Sequence, residues 1–197
     1  MGSFAIGDSM AKEVNKIKTL KMEDLSQTHY TSTRLEYRPF EPADCKDVYE
    51  YGKDAESCRF LMWGPYKNIT EAEAFVKNKI AESDLQWVIV EKEEKKVIGT
   101  IRLYDYNVKD RSGAASYILN RNYTGHGYML ESLQFMFGIA PKIMPIDILY
   151  TYYDVENEKS RNVMIKAGMI SDDFYEEQMV IKGQLRTFKR YYKCLKE

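Results

Sequence analysis

Asn120-Arg121-Asn122-Tyr123-Thr124-Gly125-His126-Gly127-Tyr128-Met129-Leu130-Glu131 joins two apolar runs of different period. Upstream, Ala115-Ser116-Tyr117-Ile118-Leu119 suits a strand, whereas downstream Met129, Leu130, Leu133, Met136 and Phe137 recur at helical spacing. Gly125 and Gly127 therefore fall on a strand-to-helix turn. A helix beginning there points its first unpaired N–H groups, and the positive end of its dipole, at any anion held in the loop. A bare G-x-G is equally what a tight turn uses for backbone reasons alone. Two other phosphate loops are excluded: the third glycine of G-x-G-x-x-G is Leu130 here, and G-x-x-x-x-G-K-[ST] is absent.

Outward from the turn, the pattern alternates. Leu35, Tyr37 and Pro39 suit a first strand, and Pro42 to Asp54 a helix with acidic residues near its start. Arg59 to Tyr66 is an irregular aromatic stretch. Thr70, with Glu73 three residues on, forms a capping box for a helix through about Ala81. Gln86 to Glu91 and Lys96 to Tyr106 are strands about the charged turn Lys92-Glu93-Glu94-Lys95, and Ala114 to Leu119 delivers the chain to the glycine loop. A helix then runs from Gly127 to about Ala140, where Pro141 and Pro145 break the chain. Ile146 to Tyr153 is a strand and Asn157 to Ala167 a helix that Gly168 stops. Two strands, Met169 to Ile181 and Gln184 to Leu195, close the chain about Lys182-Gly183. The order predicts a mixed α/β domain without internal repeats. Residues 1–28 read as a separate N-terminal extension, either a marginal amphipathic helix or a frayed segment.

Composition narrows the class. With 197 residues, 44% hydrophobic and 13% aromatic, the chain can bury one sizeable core. Its 29 basic and 30 acidic residues nearly cancel, which gives no broad field for nucleic acid or a membrane surface. Cys45, Cys58 and Cys194 are odd in number and lack C-x-x-C spacing, so neither a disulfide framework nor a zinc site is suggested. No apolar run approaches the ~20 residues that span a bilayer. No basic-then-apolar leader opens the chain, and Ile6 stands where a myristoylation signal needs Ser or Thr. The cytoplasm is the default location.

Five further pieces occur in a telling order. They are Thr33-Arg34-Leu35-Glu36-Tyr37-Arg38-Pro39-Phe40, Trp63-Gly64-Pro65, Val97-Ile98-Gly99-Thr100-Ile101-Arg102-Leu103, Gly125-His126-Gly127-Tyr128-Met129-Leu130-Glu131-Ser132-Leu133, and Asn157-Glu158-Lys159-Ser160 leading to Lys166-Ala167-Gly168-Met169. From Arg34 to the end, the chain resembles the GNAT acetyltransferase superfamily, particularly the branch that includes the ribosomal-protein alanine N-acetyltransferases. The resemblance implies one α/β (α+β) domain over residues 29–197. Its central mixed, mostly antiparallel sheet would have about seven strands and about four flanking helices, with two parallel strands splayed for acetyl-CoA. The implied activity is transfer of an acetyl group from acetyl-CoA to a primary amine, a protein N-terminus or a small molecule, directly within a ternary complex. No metal is implied. The alternative is a noncatalytic acyl-CoA-binding module, and the protomer is expected as a monomer or homodimer.

By the same resemblance, Ser116 to Asn120 and Ile148 to Asp154 are the splayed strands, and pantetheine amides satisfy their unpaired backbone groups. Ile118, Leu119 and Asn120 then border the pantetheine, with an N–H near Ile118 on the thioester carbonyl oxygen. Arg121, Asn122, Thr124, Gly125, His126, Gly127 and Tyr128 form the pyrophosphate turn. Asn122 replaces the family's usual Gln or Arg, and Arg121 next door is either its substitute or a surface cation. Asn157 and Ser160 are implied at the pantetheine and the thioester, although both also suit helix initiation. A tyrosine one turn further on protonates the departing thiolate in many relatives, but Met164 stands there, so Ser160 is left as stabiliser of the thiolate. Gly113 to Tyr117 holds no carboxylate to serve as base. Asp105 and Glu36 lie on other strands, His126 reads as a phosphate-side residue and Glu131 as a structural hydrogen-bonding one. Met62, Trp63 and Tyr66 are either walls of the acceptor pocket or ordinary core.

Overall fold

The computed structural model describes residues 27–82 and 85–196. The extension expected over residues 1–28 therefore lies, through residue 26, outside the described residues. The strands are β1 (Tyr30–Thr31), β2 (Leu35–Arg38), β3 (Leu85–Glu91), β4 (Lys96–Asn107), β5 (Ser112–Leu119), β6 (Ile148–Asp154), β7 (Ile170–Ser171), β8 (Glu177–Ile181) and β9 (Gln184–Cys194). The α-helices are α1 (Cys45–Gly52), α2 (Ile69–Ala81), α3 (Tyr128–Ile143) and α4 (Glu158–Lys166). The seven strands expected from the sequence are β2 to β6, β7 with β8 for the last but one, and β9; β1 is a two-residue addition. No helix among the described residues is long and apolar enough to cross a membrane.

One sheet runs in the order β1-β2-β3-β4-β5-β6-β9, and β7 and β8 share the outer edge of β9. Every neighbouring pair is antiparallel except β5 and β6. The apolar run Leu85-Gln86-Trp87-Val88-Ile89-Val90 explains why β3 sits inside the sheet: both faces are covered. Leu85, Trp87 and Ile89 join Ile101, Leu103 and Ala115 beneath Met129, Met136 and Ala140 of α3. Val88 and Val90 face the other way, against Val48 and Tyr51 of α1 and Ala72 and Val76 of α2. A third cluster, Leu133, Tyr153, Met164, Ala167, Met169 and Tyr191, seats α4 beside α3.

Several element boundaries differ from the sequence reading. Pro42 to Asp54 is a 3₁₀ turn, Pro42–Asp44, followed by α1, and the buried Asp44 pairs with Arg38 at 2.7 Å. The cap of α2 is Asn68, whose Oδ1 accepts from Glu71 N at 3.2 Å; Thr70 lies inside the first turn. Asn is the stronger cap, so the helix starts two residues early. Pro141 does not end α3, which continues to Ile143. So near a C-terminus the missing N–H forfeits one hydrogen bond, and the next turn still closes through Met144 N to Ala140 O at 3.0 Å. Met169 to Ile181 is broken into β7 and β8 by a turn in which Tyr175 N donates to Asp172 O, while Arg190 binds the Asp172 carboxylate at 2.7 Å.

Candidate active site

Register between β5 and β6 covers only Ser112↔Ile148 to Ala115↔Thr151. Beyond it, β5 continues to Leu119 along β4, and β6 continues to Asp154 along β9. The two strands thus fork, and Ser116, the first residue past the paired segment, is exposed. Thr151 Oγ1 is buried at the apex with no hydrogen-bond partner among the described residues. The phase of the β4–β5 ladder fixes which backbone groups face the gap. Asn120 N donates to Ile98 O at 2.6 Å, and hydrogen-bonded antiparallel pairs recur every second residue, so Ile118 also turns its N–H toward β4. The backbones of the two neighbours, Tyr117 and Leu119, therefore face the fork.

β5 ends at the loop that the sequence singled out. Gly125 has φ +88° and Gly127 φ +81°, a region that side chains with a Cβ avoid. A Cβ at Gly125 would meet nothing within 4 Å, so the loop's outer side is open. Gly127 is the N-cap of α3 and supplies no side-chain cap, which leaves the first amides of a 16-residue helix free to receive an anion. Arg121, Asn122, Thr124, Gly125, His126 and Gly127 are all exposed, and Tyr128 is half-buried.

The loop is braced from both sides. Arg34, just before β2, donates from Nη1 to His126 O at 2.9 Å and from Nε to Glu131 Oε2 at 2.8 Å, and its guanidinium lies 4.5 Å from the Tyr128 ring centroid. Glu131 Oε1 also accepts from Arg34 N at 2.8 Å and Ser32 Oγ at 2.7 Å. Burial raises the Glu131 carboxyl, but the hydrogen bonds from Arg34 and Ser32 outweigh it and hold the group below its usual range. Glu131 is structural, as expected. On the other side, the buried Asn120 accepts from Asn122 N at 3.0 Å and donates to Glu50 Oε1 at 2.9 Å. Lys96 pairs with Glu50 at 2.6 Å and, with Asn120, lowers its carboxyl. The Asn120 side chain is thus spent on the loop's foundation rather than offered to a ligand.

Across the fork, Asn157 caps α4 by accepting from Ser160 N at 3.1 Å, which leaves its NH₂ group available. Ser160 Oγ lies 2.9 Å from Tyr117 OH. Met164 is fully buried in the α4 cluster and offers no acid. Neither Glu36 nor Asp105 lies on the forked segments of β5 and β6. Glu36 lies 3.4 Å from His29 on β2, and Asp105 is exposed beyond the Tyr104↔Ala114 pair, at the closed end of β5. Among the described residues, no cluster of three or more His, Cys, Asp or Glu is placed to hold a metal.

A strand fork beside an uncapped helix start, braced over residues 34–131, coincides with a match of residues 34–170 to the acetyltransferase (GNAT) domain family. The chain belongs to the GNAT acetyltransferase family. It is 28% identical over 169 residues to YnaD, an uncharacterised N-acetyltransferase of Bacillus subtilis, across 86% of this chain and 98% of that relative. A GNAT-family acetyltransferase from Bacillus anthracis shares the fold with a TM-score of 0.77 at 20% identity, across 86% of this chain and all 100% of that one. Spermidine N-acetyltransferase from Vibrio cholerae, solved with CoA and spermine, gives 0.68 at 20% identity, across 83% and 97%.

In this acetyltransferase the segment between α1 and α2 borders the fork. Arg59 and Arg186 both donate to Glu156 Oε2 at 2.8 Å, and Lys182 Nζ donates to Cys58 O at 2.7 Å. These contacts pin the segment to the β6–α4 turn and the β8–β9 hairpin. Trp63 and Tyr66 stack at 5.1 Å and, partly buried, pack with Phe75 against the α1–α2 core, while Met62 is 78% exposed. Sequence reasoning missed Arg34, Ser32 and Glu50 as braces and Tyr117 as Ser160's partner. The only early signal was Arg34's place within the first resemblance piece.

Proposed function

We propose that this N-acetyltransferase binds acetyl-CoA with its pantetheine in the β5–β6 fork and its pyrophosphate on the loop of residues 121–128, and passes the acetyl group directly to a primary amine. The observation that carries the reading is the fork itself: backbone groups beyond Ala115 and Thr151 have lost their strand partner, and an amide-bearing ligand restores one. Gly125 and Gly127 let a phosphate approach the amides opening α3, where backbone N–H groups and the helix dipole favour negative charge. Arg121 is exposed beside the loop and supplies a mobile positive charge to the same phosphates.

Within the fork, an N–H of Tyr117 or Leu119 holds the thioester carbonyl oxygen as it gains negative charge. Ser160 hydrogen-bonds the departing sulfur. The buried Asp154, on the forked part of β6, pairs with Arg186 at 3.6 Å, and no carboxylate is assigned as base, so the amine arrives neutral or loses its proton to water. Rate then comes mainly from holding amine and thioester in line.

The test offers acetyl-CoA with a panel of amines: a peptide with N-terminal alanine, a lysine peptide, spermidine and an amino sugar. Released CoA thiol is the readout. Turnover with one class identifies the acceptor. Binding of acetyl-CoA without thiol release from any amine would overturn the catalytic reading in favour of a noncatalytic acyl-CoA-binding module.

A further inference from the structure

Ser160 does not stand alone at the fork. Tyr117 leaves β5 two residues past the last residue paired with β6, and its side chain crosses to α4, where its hydroxyl lies 2.9 Å from Ser160 Oγ. We propose that Tyr117 is a positioning residue for acetyl transfer: its phenolic O–H donates to Ser160 Oγ and thereby directs the Ser160 proton to the leaving sulfur. This rests on the acetyl-CoA site proposed above.

A serine hydroxyl has one proton and two lone pairs. If Tyr117 donates, a lone pair is filled and the Ser160 proton is released for a third partner; if Ser160 donates instead, the sulfur receives nothing. One feature favours donation by Tyr117 to Ser160 Oγ: its other acceptor, Ser160 O, is at 3.4 Å, the longer contact. Burial pushes the phenol up to about 12, with the Ser160 hydrogen bond opposing, so Tyr117 keeps a proton to donate throughout the working range. The surroundings are largely apolar: Leu130, Leu133, Phe137, Val163 and Met164, with Tyr153 and Tyr191 the titratable members of the same cluster. Arg161, next to Ser160, is turned to Tyr191 OH at 3.4 Å.

In the step this serves, the amine nitrogen attacks the thioester carbonyl carbon and the adduct loses a nitrogen-bound proton to water. The C–S bond then breaks, and its electron pair goes to sulfur. Ser160 O–H hydrogen-bonds the thiolate without giving up its proton, so neither hydroxyl is consumed.

The experiment needs no acceptor. The thiol of CoA bound to the full chain is titrated by its thiolate ultraviolet absorbance in wild type, Tyr117→Phe, Ser160→Ala and the double variant, with calorimetric CoA binding measured on the same samples. The wild-type thiol should ionise about one unit below free CoA, Ser160→Ala should restore the free value, and Tyr117→Phe should recover at least about half a unit. The double variant should match Ser160→Ala, because Tyr117 acts through Ser160. An unmoved thiol in a Tyr117→Phe protein that still binds CoA would overturn the proposal, as would additive shifts in the double variant. Failure of the wild type to bind CoA would instead remove the site itself, and the proposal with it.

Discussion

Replacing Glu131 by Gln tests the brace under the glycine loop. The change keeps volume but removes the charge. If the remaining carbonyl oxygen keeps Ser32 Oγ and Arg34 N, the new NH₂ faces Arg34 Nε across the present 2.8 Å contact, donor against donor. A hydrogen bond to a charged group contributes about 1.5–3 kcal/mol. The Glu131 side chain is only 15% exposed but Arg34 is 42% exposed, so solvent screening discounts this to about 1–2 kcal/mol. For a chain of this size that lowers Tm by about 3–6 °C at pH 7. The sign with pH follows from the depressed carboxyl. Its stabilisation is complete above the unfolded value of about 4.3 and is lost as pH falls through the lower folded value, so the Tm gap should close in acid. Thermal unfolding by circular dichroism from pH 7 to pH 3 reads both. Equal Tm values at pH 7, or a gap unchanged at pH 3, would refute the reasoning.

Other perturbations separate the remaining claims. A Cβ at Gly99 would lie 2.2 Å from Ile118 O, so Gly99→Ala should push β4 from β5 at the fork and cost about 1–3 kcal/mol in urea unfolding; an unchanged midpoint would contradict that close approach. Asn120→Ala removes the partner of Glu50 and of Asn122 N, with an expected loss of about 1–3 kcal/mol and weaker acetyl-CoA binding. Stability and affinity both at wild-type level would show that the loop does not depend on this foundation. Cys58 is buried with its thiol raised by burial, whereas Cys194 is exposed, so an aromatic disulfide reagent should label Cys194 quickly and Cys58 only on unfolding. Rapid labelling of Cys58 in the folded protein would count against the packing of residues 54–66.

Local chemistry made the strand–loop–helix unit legible, because hydrophobic period changes from two to 3.6 across Gly125 and Gly127. The β3 core strand and the β3–β4 turn were legible for similar reasons. The fork was not. Nothing in the local pattern of Ala114 to Leu119 says that β6 pairs with its first half and leaves the second, and only the ordered family resemblance anticipated it. Ladder phase is likewise invisible in sequence, which is why the fork-facing amides proved to be those of Tyr117 and Leu119 rather than Ile118. The Arg34–Glu131 brace joins residues 97 apart. Such a pair is chosen by tertiary packing, as is the meeting of Tyr117 with Ser160 across 43 residues.

Calorimetric titration of acetyl-CoA into the wild type and into Gly125→Val, with melting curves on both, asks whether the glycine loop holds the cofactor phosphates. Space at Gly125 is open, so a branched side chain would stand where the phosphates approach, at a φ of +88° that already disfavours it. Saturable binding by the wild type is expected, with loss of it in a variant that still melts cooperatively. No binding by folded wild type, or equal binding by the variant, would contradict the assignment of this loop to acetyl-CoA.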